Sequence, residues 1–252
     1  MSDTPHKSSE IDSLNRQIEE LNREKQQLIS LVSHDLRSPL NRAFALAELL
    51  LMDQETLTAF QKDYLEKMRL VIADGLAMMR NLVDYRNLEF RSIDTLPDKI
   101  NVAEFVDKLA REFQPTADKK GITLILQHQD NLTITSDKQC LDRVIGNLLS
   151  NALKFSKPGK KVSVRTFKHA DSFVTIEIED EIGGFSLEEQ ATLFTKFKKY
   201  KAQPTGNESS TGLGLFVAHA MAARIGGTIS YKALNEESGS VFTIVLPLVM
   251  NN

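Results

Sequence analysis

The 252-residue sequence contains one cysteine, Cys140. A single thiol excludes an internal disulfide framework and any multi-cysteine metal site, and it suits a reducing compartment. No apolar run reaches the roughly 18 to 20 residues that span a bilayer, and Met1 to Glu10 is polar, unlike a signal peptide. The expectation is a soluble, cytoplasmic chain with no membrane contact of its own. The net charge of −3 leaves no overall basic footprint, so nucleic acid is not an expected partner. No internal repeat recurs at a fixed period. The Asn-x-Ser/Thr matches at Asn131 and Asn207 mean little without a secretion signal.

With 41% apolar residues the chain is long enough for two domains, each with its own core. From Ile11 the apolar positions Ile11, Leu14, Ile18, Leu21, Leu28 and Val32 recur by threes and fours, broken only at Lys25. This is a heptad seam, and one such helix alone leaves its stripe in water, so dimerisation is expected. The pattern continues through Leu36, Leu40, Phe44 and Leu50, giving a helix of about forty residues, on the order of 60 Å long. Asp53 to Thr56 interrupts it. A second helical pattern runs from Leu57 to about Phe90, which completes a hairpin.

Beyond Arg91, Ser92 to Asp98 reads as a linker around Pro97. Strand-like runs follow at Ile122–Gln127, Leu132–Thr135, Val162–Phe167, Phe173–Glu179, Gly227–Tyr231 and Val241–Leu246. Helical stretches lie between them at about Ala103–Ala117, Lys138–Phe155 and Gly212–Ile225. Lys201 to Thr211 is almost without apolar content and is expected to be a mobile loop. The fold class is therefore α+β. An entry coiled coil (1–30) leads into a hairpin (31–91) that pairs into a dimeric four-helix bundle. A linker (92–98) then precedes an α/β sandwich (99–252) whose mixed sheet is covered by helices.

His34 is the one histidine of five followed by an acid and, five residues on, by a proline, in S-H-D-L-R-S-P-L. With Val32 and Leu36 on the seam, His34 points outward. A neutral imidazole is a competent nucleophile, and Asp35 beside it can accept a proton or orient a ring nitrogen. Ser38 falls one helical turn further on the same face. Pro39 removes a helical hydrogen bond, at a cost of about 3 kcal/mol, and a bend beside a reactive residue is one reason to keep it. The bland alternative is a solvated coiled-coil face with an incidental kink, and that reading is preferred for His6, His128, His169 and His219.

Farther along, Asn147, Asn151 and Lys154 fall on one face of a helix whose opposite face carries Val144, Ile145, Leu148, Leu149 and Leu153. Amide carbonyls can ligate a hard cation while a lysine meets phosphate, an arrangement suited to Mg–ATP; a plain solvated face is the alternative. The strand F-V-T-I-E-I-E-D ends at Asp180, whose carboxylate can accept from an exocyclic amine such as that of adenine. Lys196, Lys198, Lys199 and Lys201 crowd around Phe194, Phe197 and Tyr200 and can meet phosphate. T-G-L-G-L opens a helix whose N-terminal N–H groups suit an anion. As a G-x-G it is weak, and no Walker-type G-x-x-x-x-G-K-[ST] occurs.

In this order the motifs are specific, and from about Ser33 to Leu246 the chain resembles the histidine kinase family. S-H-D-L-R-S-P-L resembles its phosphoacceptor box and N-L-L-S-N-A-L-K-F-S its asparagine box. D-E-I-G-G-F, L-F-T-K-F and T-G-L-G-L resemble its first glycine, phenylalanine and second glycine boxes. The resemblance implies that His34 is phosphorylated with Asp35 as general base. It implies Asn151 as a Mg²⁺ ligand with Asn147 nearby, Lys154 and Lys199 at the phosphates, and Asp180 at the adenine amino group. Phe155, Gly184, Thr211, Gly212, Leu213 and Gly214 complete the implied nucleotide site, with a lid at about 198–211. A response-regulator receiver domain, absent from this chain, would receive the phosphoryl group. Ser38 stands where Thr or Asn usually positions water for regulator dephosphorylation.

The first glycine box departs from its usual form, with Ile182 at the first glycine and Gly183 after it. A β-branched residue is strained at positive φ. Either the turn shifts so that Gly183 takes the special conformation, or the adenine pocket is altered. Cys140 and Arg143 also depart, where arginine and glutamine are common. The leading expectation is an ATP-dependent autokinase. The rivals are a phosphorelay or scaffold dimer with weak or no nucleotide binding, and an ATP-driven conformational machine, which leaves the histidine box unexplained.

Overall fold

A computed structural model describes residues 4–53, 56–90, 97–129, 132–200, 204–205, 212–235 and 239–249. The expected linker at 92–96 and most of the expected loop at 201–211, with Thr211, lie outside the described residues. The chain divides into two compact units, Met1–Phe90 and Arg91–Asn252.

The first unit is a helical hairpin. Helix α1 runs Thr4–Met52 straight through Pro39, and α2 runs Ala59–Phe90. Thr58 starts α2 reciprocally: its N–H donates to Gln61 Oε1 at 2.9 Å and its hydroxyl accepts from Gln61 N–H at 3.2 Å. That pairing satisfies donors at the helix start. Arg69 reaches across to Glu48 at 3.1 Å, and Gly75 admits the Leu40 side chain at ordinary contact distance. Ala47, Leu76 and Met79 are buried between the helices, but Leu14, Leu21, Leu36, Phe60 and Val71 remain exposed. The seam read from the sequence is thus an uncovered apolar stripe along a single hairpin.

In the second unit β1 (Asp98–Asn101), α3 (Val102–Lys120), β2 (Thr123–His128), β3 (Thr133–Ser136) and α4 (Lys138–Phe155) are followed by β4 (Lys161–His169) and β5 (Phe173–Asp180). Then come α5 (Leu187–Gln190), α6 (Gly214–Arg224), β6 (Thr228–Asn235) and β7 (Gly239–Pro247). The main sheet has the order β2-β4-β5-β7-β6, with β2 and β4 parallel and the other pairs antiparallel; β1 and β3 form a small second sheet. Val162, Val164, Ile176, Ile178, Ile244 and Leu246 point from the strands into the core against α3, α4 and α6. The alternate residues face away, where Arg165 bridges Glu177 and Glu179 at 3.0 and 2.8 Å.

Differences from the sequence expectation have local causes. Asp98 belongs to a strand, because β3 offers Ser136 opposite it. Helix α3 continues past Pro115 on an exposed turn, where Arg111, whose carbonyl loses its helical donor, is itself exposed, and stops at Gly121 with φ +64. Helix α6 starts at Gly214 and not at Gly212, since Gly212 takes φ +68. Strands β6 and β7 reach into polar residues as far as Asn235 and Gly239. Among the described residues no helix is long and apolar enough to cross a membrane.

Candidate functional site

On the hairpin, Ser33 is buried and His34 is exposed at 84% of its side chain. One residue advances a helix by about 100°, so packing Ser33 inward turns His34 to solvent. His34 Nδ1 lies 3.2 Å from Asp35 Oδ1. If the ring is neutral, a proton shared there sits on Nδ1 and leaves the Nε2 lone pair outward. Ser38 is exposed one turn on. Pro39 has no N–H for the Asp35 carbonyl, so that oxygen loses its helical donor beside the reactive ring.

In the second unit the N-terminus of α6 lies against α4. A Cβ built at Gly214 would stand 3.7 Å from Asn147 Oδ1 and 3.8 Å from Asn151 Nδ2. Helix α6 has no side-chain cap at Leu213, and the positive end of its dipole lies beside these amides, where an anion is favoured. Asn147 Nδ2 is buried with no hydrogen-bond partner, the kind of orphan a bound acceptor would satisfy. Asn151, Lys154 and Phe155 are half-buried along the same helix, and Lys154 Nζ lies 5.8 Å from the centre of the Phe155 ring. The set of amides, lysine and the positive end of α6 fits a magnesium-bound triphosphate.

Asp180 ends β5 almost fully buried. Its Oδ1 accepts from Ile182 N–H at 3.1 Å and from Ser240 Oγ at 2.9 Å. Burial pushes its carboxyl up to about 6, against those hydrogen bonds, which lower it. Neither Ile182 nor Gly183 enters the left-handed region, which corrects the expectation of a turn shifted onto Gly183. The Asp180 side chain holds the turn instead, bonding the main chain two residues on. Gly184 is the crowded position: a Cβ there would meet Tyr231 Oη and Ala233 Cβ at 3.0 Å.

The remaining residues named from the sequence fall apart from this cluster in instructive ways. The Leu213 side chain is buried in the core at the start of α6. Lys196 sits over the Phe216 ring at 5.1 Å and Phe194 stacks on His219, whereas Lys198 and Lys199 are exposed. A Cβ on Gly212 would come within 2.5 Å of the Lys198 carbonyl, so the two flanks of the 199–211 segment touch there. Phe197 pays for that contact with φ +59, about 1–2 kcal/mol for a bulky residue.

Two features escaped sequence reading. Thr205 bonds the end of α4, donating through Oγ1 to Ser156 O at 2.7 Å, and Lys120 Nζ donates to Leu153 O, Lys154 O and Thr205 Oγ1. Ser240 was also missed, although Gly239 in a strand marks close backbone approach: a Cβ there would stand 2.4 Å from the Asp180 carbonyl.

A family model described as His Kinase A (phospho-acceptor) domain matches residues 24–89. A second, described as Histidine kinase-, DNA gyrase B-, and HSP90-like ATPase, matches residues 136–250. The aerobic respiration control sensor protein ArcB of Escherichia coli (strain K12) is 30% identical over 236 residues, 91% of this chain and 29% of that protein. The swarming motility regulation sensor protein RssA of Serratia marcescens is 25% identical over 238 residues, 94% of this chain and 50% of that protein. The chain therefore spans half or less of these relatives. Full-length ShkA, solved in complex with AMPPNP, superposes with a TM-score of 0.68 at 22% identity, covering 89% of this chain and 46% of that one. At that identity the likeness is one of fold. With a phospho-acceptor match over its helical hairpin and an ATPase match over its α/β unit, the chain belongs to the sensor histidine kinase family.

Proposed function

We propose that this chain is a histidine kinase core that phosphorylates His34 with Mg–ATP and passes the phosphoryl group to an aspartate of a response-regulator receiver domain. The observation that carries the reading is His34 itself, 84% exposed with Nδ1 beside Asp35 at 3.2 Å. Nε2 attacks the γ-phosphorus in line, the bond to the ADP oxygen breaks, and positive charge developing on the ring is met by Asp35, which takes the Nδ1 proton. Asn147, Asn151, Lys154 and the N-terminal end of α6 bind and orient the triphosphate; Lys199 and Thr211 belong to the same site. Asp180 accepts from the adenine amine. Magnesium, held in part by the Asn151 amide oxygen, supplies charge neutralisation at the phosphates.

The uncovered stripe on α1 and α2 supports a homodimer, two hairpins closing a four-helix bundle. Helix α1 up to residue 30 forms its entry coiled coil, the rest of α1 with α2 the phosphotransfer hairpin, and the unit that opens with β1 at Asp98 the catalytic domain. A buried lone Cys140 suits the cytoplasm. Ser38, exposed one turn from His34, positions water for regulator dephosphorylation. The relay alternative drew its support from Ile182, and the ordinary backbone of that residue leaves it without the strain that a positive φ would bring. Incubation with γ-labelled ATP tests the reading. Acid-labile label that disappears in His34→Gln is expected; no label on the wild type, or undiminished label on the variant, sinks it.

A further inference from the structure

The turn after Asp180 lacks its usual first glycine, yet it is held from outside itself. Phe185 N–H donates to Tyr231 Oη at 2.9 Å. The Tyr231 ring packs between Phe185 and Phe242, with centroids 5.2 Å away in each case. Separately, Ser240 Oγ donates to Asp180 Oδ1 at 2.9 Å. The turn is thus tied at its start by the Asp180 carboxylate, which takes the Ile182 N–H at 3.1 Å, and at its far end by the Tyr231 phenol oxygen, which takes the Phe185 N–H.

Strand register explains why these groups meet. Ser240 on β7 lies opposite Asp180 on β5 and opposite Ala233 on β6. Tyr231, two residues before Ala233, shares its face and sits on the diagonal from Ser240, a span that a long aromatic side chain covers. Gly184 allows the turn to close on this pair, because any side chain there would strike Tyr231 and Ala233.

We propose that Tyr231 is a positioning residue for nucleotide recognition, its hydroxyl holding at Phe185 the far end of the turn that starts at Asp180, the carboxylate that meets the base. The proposal rests on the reading of Asp180 given above. A tertiary hydrogen bond thereby fixes a turn that glycine flexibility would otherwise shape, and Ile182 is tolerated because the turn is clamped at both ends.

Calorimetric titration of the full chain with Mg²⁺ and a non-hydrolysable ATP analogue, and with the same analogue lacking the exocyclic amine, tests this. The wild type should prefer the amine-bearing nucleotide. Tyr231→Phe keeps the ring and removes one oxygen. It should bind that nucleotide about tenfold more weakly, or about 1.4 kcal/mol, while affinity for the amine-free one changes little. Gly184→Ala, whose Cβ would press on Tyr231 Oη and Ala233 Cβ at 3.0 Å, should push the same turn off Tyr231 and give the same selective loss; should Tyr231→Phe not fold, this variant decides. Unchanged discrimination in the variants, or equal weakening of both nucleotides as a merely structural role would give, overturns the proposal. A wild type that binds both nucleotides equally overturns the Asp180 reading itself, a separate and distinguishable result.

Discussion

Ser240 Oγ donates to Asp180 Oδ1 over 2.9 Å in a region where both side chains are 3% exposed. The bond partly offsets the desolvation that raises the Asp180 carboxyl from 3.8 to about 6. A raised acid binds more protons folded than unfolded, so its stabilising contribution is full below about pH 3.8 and is lost as pH rises through about 6. At pH 7 the ionised carboxylate costs about 3 kcal/mol or less. Asp180→Asn keeps an acceptor for Ile182 and Ser240 and removes that cost. Urea denaturation at pH 7 should show a gain of about 1–3 kcal/mol, while calorimetry shows ATP affinity lost. In the wild type, ATP affinity should fall as pH drops through about 6.

Asp35→Asn keeps a hydrogen-bonding partner beside His34 but cannot take its proton. The initial rate of His34 labelling should fall about a hundredfold or more, with ATP affinity unchanged. An unaltered rate in rapid-quench measurements would remove Asp35 from the proton transfer.

Two glycines of the second unit should respond oppositely to alanine. Gly212 has φ +68 and a Cβ there would meet the Lys198 carbonyl at 2.5 Å, so Gly212→Ala should cost about 2 kcal/mol or more and weaken ATP binding. Gly146 sits inside α4 with nothing within 4 Å of a built Cβ. Gly146→Ala should raise stability by up to about 1 kcal/mol. Thermal denaturation of the two variants side by side checks the contrast.

Lys120 Nζ donates to the Leu153 and Lys154 carbonyls at 3.1 Å, in the last turn of α4, where carbonyls lack helical donors. Lys120→Met keeps the stem and removes those bonds, and a loss of about 1–2 kcal/mol is expected in denaturant titrations. Thr205→Val should lose less, since the Lys120 bonds to α4 survive it.

Helix α4 was legible to its last residue because a polar face at Asn147, Asn151 and Lys154 and an apolar one opposite repeat with helical period, and Asp137 caps the start, accepting from Cys140 N–H at 2.8 Å. The large-sheet strands were legible from β-branched runs. Strand β1, D-K-I-N, has a single apolar residue and is a strand only because β3 lies beside it. Asn147, Asn151 and Gly214 could be named from their motifs. The Phe185–Tyr231 bond joins residues 46 apart in the chain, and no local pattern signals it. Nor could the turn at Ile182 be read from residue types, since its geometry is set by Asp180 and by a strand that follows much later.

Helix α1 places a buried Ser33 and an exposed His34 at adjacent positions of one continuous 49-residue rod. Access to the imidazole is therefore a matter of angular phase. A rotation of α1 by about 100°, in the sense that moves each residue into its predecessor's phase, carries the imidazole into the buried position that Ser33 now holds. Information arriving along the rod can thus be written as torsion, with no bond made or broken near the histidine.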